Sequence, residues 1–201
     1  MTEMDEAFWD ARYGEHEQLF SGDPNGVLVA EVRDLPPGRA LDLGAGEGAD
    51  AIWLARRGWR VTAMEISRVA LTRAQKSAAD AAVEVDWRHA DLLTTPPDAA
   101  AYDLVSAQYL PIPHQPDHTA IHALTASVAP GGTLLFVHHA PLDDPGDWHG
   151  PDISEFYSPH EVAGLLGEDW TIETDETRAR TAPAPPGTHH THDTVLRARR
   201  G

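Results

Sequence analysis

Three glycines and an aspartate crowd one short segment, Leu41-Asp-Leu-Gly-Ala-Gly-Glu-Gly48, where an apolar strand pattern gives way to a helical one. Glycine lets a backbone pass close to a ligand, because any side chain would occupy the space. Gly44, Gly46 and Ala49 fit a loose dinucleotide-type fingerprint, with Gly48 additional. Asp42 stands just before the turn, where its carboxylate can reach an amino group or an ordered water beside a ligand. A second acid, Glu65, follows the first glycine by about 20 residues, the place of an acid that grips ribose hydroxyls. A carboxylate accepts two hydroxyl hydrogen bonds at once, which a neutral side chain does less well.

Histidine is the other residue type with chemistry to offer, at 12 in 201 residues. His114 follows one strand pattern, and His138 and His139 close another. His118 and His122 are four apart and so share one face of a helix. Convergence of these five would make a metal site or a proton-accepting pocket. For His118 and His122, and for His189, His190 and His192, a solvated surface position is expected instead. His138 and His139 are the candidates for a catalytic base, with strand alternation turning only one of them to the pocket. No metal-ligand set is assigned.

These residues need a scaffold, and the periodicity supplies one. Arg39–Gly44, Trp59–Glu65, Val83–Arg88, Tyr102–Gln108 and Thr133–His138 read as strands. Helices are expected over Asp50–Arg57, from an N-cap at Ser67 to about Ala82, and over Asp117–Val128 before Pro130-Gly131-Gly132. Ser158-Pro159-His160-Glu161 has the form of a capping box, opening a helix to about Leu166. Two closing strands are expected over Trp170–Arg180 and Thr191–Arg199. The fold class is therefore α/β: a Rossmann-like, mostly parallel seven-stranded sheet with helices on both faces and a C-terminal antiparallel hairpin. One domain is expected over 1–201, with 1–35 as an N-terminal lid or cap and 36–201 as the core.

In sequence, Asp42-Leu-Gly-Ala-Gly-Glu-Gly48 resembles motif I of class I S-adenosylmethionine-dependent methyltransferases. Ala90-Asp91-Leu92 resembles the family's adenine-binding motif, Tyr102-Asp-Leu-Val105 its fourth strand, and Ala129-Pro-Gly-Gly-Thr-Leu-Leu135 its turn into the fifth. Trp9-Asp10-Ala11-Arg12-Tyr13 is similar to the opening of the small TehB-like branch. The resemblance implies S-adenosylmethionine as cofactor. Gly44, Ala45 and Gly46 would line its methionine and ribose portion, with Asp42 beneath the amino end. Glu65, followed by Ile66, would hold the ribose; Asp91 and the Leu92 amide would meet the adenine. Gln108 would lie near the methionine moiety, and Tyr13 would come from an N-terminal helix packed over the cleft. That branch often has a histidine after a Gln-Tyr-Leu segment, whereas Gln108-Tyr109-Leu110 is followed here by Pro111.

Composition narrows the function classes. The net charge of -17, with no basic stripe, disfavours nucleic acid as substrate. The absence of cysteine excludes disulfides, thiolate metal sites and cysteine nucleophiles. An acidic, aromatic N-terminus is unlike a signal peptide, and no apolar run reaches membrane-span length. A cytoplasmic enzyme acting on a small-molecule methyl acceptor is the expectation, as monomer or homodimer and without a membrane partner. Two alternatives stay open: a nicotinamide-dependent oxidoreductase using the same glycine turn, and a histidine-based metal-binding protein. The proline-rich stretch Pro141–Pro151, with Trp148, is expected to wall the acceptor pocket.

Overall fold

Seven strands form one sheet in the order β3-β2-β1-β4-β5-β7-β6 in the computed structural model, which describes residues 4–140, 152–180 and 191–201. The strands are β1 (Arg39–Leu43), β2 (Arg60–Glu65), β3 (Asp86–His89), β4 (Tyr102–Gln108), β5 (Val128–His139), β6 (Trp170–Ala179) and β7 (His192–Arg200). The first five pair in parallel, and β7 runs antiparallel to both β5 and β6. The expected architecture and closing hairpin are therefore present. The helices are α1 (Glu6–Gly14), α2 (Gly26–Val32), α3 (Ala49–Arg56), α4 (Arg68–Asp80), α5 (Thr119–Ser127) and α6 (Pro159–Leu165).

Strand alternation sorts the core into two layers. Ala40, Leu104, Leu135, Val137 and Val195 pack with Val27, Leu28, Ala51 and Leu54 of α2 and α3. Leu41, Leu43, Val105, Leu134, Phe136 and Leu196 pack on the opposite face with Ile121, Leu124 and Val162 of α5 and α6. The capping box forms as read: Ser158 Oγ accepts from the Glu161 amide, and Glu161 Oε2 accepts from the Ser158 amide at 2.7 Å. Among the described residues, no helix is long and apolar enough to cross a membrane.

Two expected boundaries shift for local reasons. The third strand begins at Asp86 instead of Val83, because the Val83 amide donates to Ala78 O and closes the end of α4, with Ala82 at φ +53. The fifth strand begins at Val128, not Thr133. Val128 already pairs with Tyr102, and an irregularity in the β4–β5 register accommodates Pro130 and the glycines. Helix α2, whose Val27, Leu28 and Val32 are buried in the sheet core, carries no signal that periodicity alone picks out over seven residues.

Candidate functional site

The glycine turn between β1 and α3 is pinned to the neighbouring strand: the amides of Gly44 and Ala45 both donate to Met64 O, at 2.9 and 3.1 Å. Gly44 and Gly46 have φ of +69 and +53, a left-handed backbone that side chains disfavour. A Cβ on Gly44 would meet Leu110 Cδ1 at 2.8 Å, and one on Gly46 would meet Tyr13 Oη at 2.9 Å. Tyr13 and Leu110 thus close directly over the turn.

Beneath it lies a buried acidic group. Glu65 accepts the Gly46 amide on Oε2 and the Ser67 amide on Oε1, both at 2.8 Å. Burial raises its carboxyl above the ordinary value against the pull of those amides. Each oxygen retains a second lone pair for a hydroxyl donor. Asp50 takes the Asn25 amide at 2.7 Å and its side-chain Nδ2 at 2.8 Å. Asp42 is 2% exposed, and its Oδ2 has no hydrogen-bond partner. Burial, then the nearby Asp50 and Glu65 carboxylates, push the Asp42 carboxyl well above its usual range.

Asp42 is in register with Ser106 of β4, and Gln108 Nε2 donates to Ser106 Oγ at 3.0 Å. Gln108 Oε1 is buried and, like Asp42 Oδ2, has no partner. Two orphaned acceptors on adjacent strand ends, with no Lys or Arg between them, suit a ligand bearing N–H donors and positive charge. Asp91 is half-buried and turns Oδ1 to the Leu93 amide at 2.8 Å; Leu92 packs on the core. Ile66 offers its carbonyl to His89 Nε2 at 2.8 Å.

The five histidines separate into two groups. The rings of His138 and His139 meet edge to face, with centroids 6.1 Å and planes 80° apart. His139 shares the α2/α3 face with Gln108; it stacks on Tyr109 at 4.2 Å and lies 3.1 Å from Arg180 Nη1. On the opposite face His114 pairs with Glu161 at 3.1 Å, and His118 Nδ1 bonds Tyr157 Oη at 2.6 Å. His118 is thus half-buried and bonded instead of solvated, while His122 is exposed as expected. Among the described residues, no group of three or more His, Asp or Glu side chains is arranged to hold a metal ion. His189, His190 and the stretch Pro141–Pro151 with Trp148 lie outside the described residues.

Residues 40–132 match the model of the methyltransferase domain family. An uncharacterized methyltransferase of Mycobacterium tuberculosis strain H37Rv is 38% identical over 110 residues, which are 54% of this chain and 55% of that protein. Residues 40–132 are thus similar to methyltransferase domains. A ubiquinone biosynthesis O-methyltransferase of Alkalilimnicola ehrlichii is 36% identical over 133 residues, 64% of this chain and 53% of that protein. The chain thus spans about half the length of the curated relatives it matches. In fold it is similar to a protein solved in work on conversion of a disulfide bond into a thioacetal group during echinomycin biosynthesis. That likeness has a TM-score of 0.73 at 23% identity, covering 97% of this chain and 92% of the other. TehB from Haemophilus influenzae superposes with a TM-score of 0.69 at 16% identity, covering 98% and 67%.

The segment matched to the methyltransferase family holds Asp42, the glycines, Glu65, Asp91 and Gln108; Tyr13, His138 and His139 lie outside it. The residues that tie the N-terminal helix to this domain escaped sequence reasoning. Asp10 takes the Ser67 hydroxyl at 2.6 Å and the Val69 amide at 3.2 Å, capping α4 from outside. Arg73 donates to Tyr13 O, His16 O and Glu47 Oε1 at 2.9, 2.6 and 2.9 Å. The aspartate of the Trp9-Asp10 pair was the one signal available. Asp10→Ala is expected to destabilise the protein by about 1 kcal/mol, the usual loss of a helix cap, measurable by urea unfolding. Burial alone would raise the Asp10 carboxyl, but the Ser67 and Val69 bonds hold it below its ordinary value. Its contribution is therefore present above the ordinary Asp range and fades as pH falls through the depressed value.

Proposed function

We propose that the protein transfers a methyl group from S-adenosylmethionine to a small-molecule acceptor. The observation that carries this reading is the pair of buried, unpartnered acceptors, Asp42 Oδ2 and Gln108 Oε1, beside a glycine turn. A cofactor with an ammonium group answers both. When bound, S-adenosylmethionine supplies an activated methyl group on a sulfonium.

The chain's own residues then have holding and aligning work to do. Gly44, Ala45 and Gly46 form the backbone cradle, Asp42 and Gln108 accept from the amino end, and Glu65 accepts from the ribose hydroxyls on its remaining lone pairs. Asp91 and the Leu92 amide serve the adenine, with Ile66 beside the ribose. Tyr13 covers the turn from α1, excluding water. Alignment of a nucleophile in line contributes most of the rate, so no obligatory base is required. The relative named for ubiquinone biosynthesis favours a small-molecule acceptor, approached from the ends of β4 and β5. Cytoplasmic action as a monomer or homodimer belongs to the same reading.

Calorimetry tests this. Titration with S-adenosylmethionine and with S-adenosylhomocysteine should give saturable heat, and NAD none. Glu65→Ala should weaken both ligands by about 1.5–3 kcal/mol, the worth of a charge-assisted bond, or roughly ten- to a hundredfold. Tight NAD binding without response to either sulfur ligand would return the protein to the oxidoreductase reading.

A further inference from the structure

Glu47 stands between Gly46 and Gly48, and its side chain leaves the glycine turn toward the N-terminal segment. Its Oε2 accepts the amides of Leu19 and Phe20, both at 3.1 Å, and its Oε1 accepts Arg73 Nη1 at 2.9 Å. Only 10% of this side chain is exposed, so water competes little for these bonds. The other arm of the Arg73 guanidinium, Nη2, donates to Tyr13 O at 2.9 Å and to His16 O at 2.6 Å. Tyr13 O belongs to the last turn of α1, where a helix runs out of its own donors. A cation at that point also meets the negative end of the helix dipole.

Helix α1 is thereby held at its two ends by different means. Its N-terminal half is tied to α4 by Asp10, through the Ser67 hydroxyl and the Val69 amide, and by the exposed Glu6–Arg68 pair. Its C-terminal half is tied to the glycine turn itself, through Arg73 and Glu47. Phe20, whose amide Glu47 holds, meets the Tyr13 ring edge to face with centroids 6.1 Å apart. The Tyr13 hydroxyl in turn stands where a Cβ on Gly46 would come within 2.9 Å of it. One short turn thus works in two directions. Its Gly46 amide binds Glu65, and its Glu47 carboxylate binds the segment that covers Gly46. Lifting Tyr13 from Gly46 stretches this whole chain of bonds.

We propose that Glu47 and Arg73 are positioning residues that latch the Tyr13 cover onto the cofactor turn, so that the ligand enters and leaves only when the latch opens. The link to S-adenosylmethionine rests on the methyltransferase reading; the latch itself does not. Kinetics tell a latch from a ligand contact. A group that touches the ligand changes mainly the rate of escape, whereas a latch gates both directions.

Hydrogen exchange of the full-length, ligand-free protein reads the latch alone. In Glu47→Ala and in Arg73→Met, amide protection over residues 9–20 should fall while that of β1 and α3 stays at the parent level. Loss confined to Leu19 and Phe20, with α1 unchanged, means that Asp10 holds the cover by itself and overturns the proposal. Should the alanine variant lose protection throughout, Glu47→Gln takes its place, keeping an acceptor for the two amides but giving up the charge that faces Arg73. The same pattern at smaller size is then expected, and no change over α1 counts against the latch. Stopped-flow tryptophan fluorescence with S-adenosylmethionine reads the gate, scaled to the number of binding sites found by calorimetry. Trp9, its ring 6.2 Å from that of Tyr13, supplies the signal. Association and dissociation should both quicken in Glu47→Ala, dissociation the more, by about tenfold or above, the worth of one charge-assisted bond. A change in dissociation alone, or a slower association, overturns the gating role. A parent that binds neither S-adenosylmethionine nor S-adenosylhomocysteine defeats the methyltransferase reading and leaves the exchange result standing.

Discussion

In Gly46→Val, affinity for S-adenosylmethionine is expected to fall by more than about a hundredfold, or about 2.7 kcal/mol, with the fold retained. Two effects add. At φ +53 a side chain costs about 1–2 kcal/mol in backbone strain alone, and more when branched at Cβ. The new Cβ would also stand 2.9 Å from Tyr13 Oη, so it enters the space between the turn and its cover. Part of that cost falls on the free protein, and a second substitution separates the two parts. Tyr13→Phe removes the oxygen that the Cβ meets, so Gly46→Val with Tyr13→Phe should recover stability in urea unfolding. Cofactor affinity should stay low, because the valine still fills the cradle. Recovery of both together would mean that the turn only packs against Tyr13 and does not face a ligand.

The turn itself was legible because its signal is local: glycines at a strand-to-helix junction, an acid at each neighbouring strand end, periodicities of two and 3.6 on either side. The mostly parallel sheet followed from the same pattern, since strands alternating with helices argue parallel pairing. What escaped shares a different character. Asp10 meets Ser67 across 57 residues, Asn25 meets Asp50 across 25, and Arg180 meets His139 across 41. No window of sequence contains both partners of such a pair. Asp50, for instance, reads locally as an acid in the first turn of a helix, which it is; its work as the anchor of Asn25 appears only once α2 is folded onto α3.

The histidines show the converse error that spacing invites. His114, His118, His138 and His139 all fall near strand ends in sequence, yet the last two residues of β5 have opposite strand parity, and it is His139, stacked on Tyr109, that shares the parity of Gln108's layer. The group on the other face is organised by Tyr157, whose hydroxyl donates to Gln115 O at 3.1 Å and bonds His118. Tyr157 follows the undescribed stretch ending at 151 and nothing in its local sequence marks it. A count of histidines near strand ends therefore says where the site's edge lies, while face parity decides which of them belongs to it.

Cofactor binding is expected to release a proton, and its affinity to rise as pH climbs toward the raised value of the Asp42 carboxyl. Asp42 is buried, shares its surroundings with Asp50 and Glu65, and has no cation beside it, so its carboxyl lies well above the usual range in the free protein. An ammonium group placed at its unpartnered Oδ2 favours the ionised form and expels the proton. The sign for stability is opposite to that of a salt-bridged aspartate. A carboxyl raised on folding binds its proton more tightly in the native state, so the free protein loses stability as pH climbs from the unfolded Asp value, about 4, toward the raised one. Asp42→Asn should accordingly raise the melting temperature of the ligand-free protein at mildly alkaline pH, with the gain shrinking toward acidic pH. The same substitution should weaken S-adenosylmethionine by about 1.5–3 kcal/mol, since a charge-assisted bond is exchanged for a neutral amide. Titrations in buffers of different ionisation enthalpy measure the proton count directly. A parent that releases no proton would remove the linkage altogether, and an Asp42→Asn variant with the parent's pH dependence would move it onto Asp50 or Glu65, each of which is already held by two N–H donors.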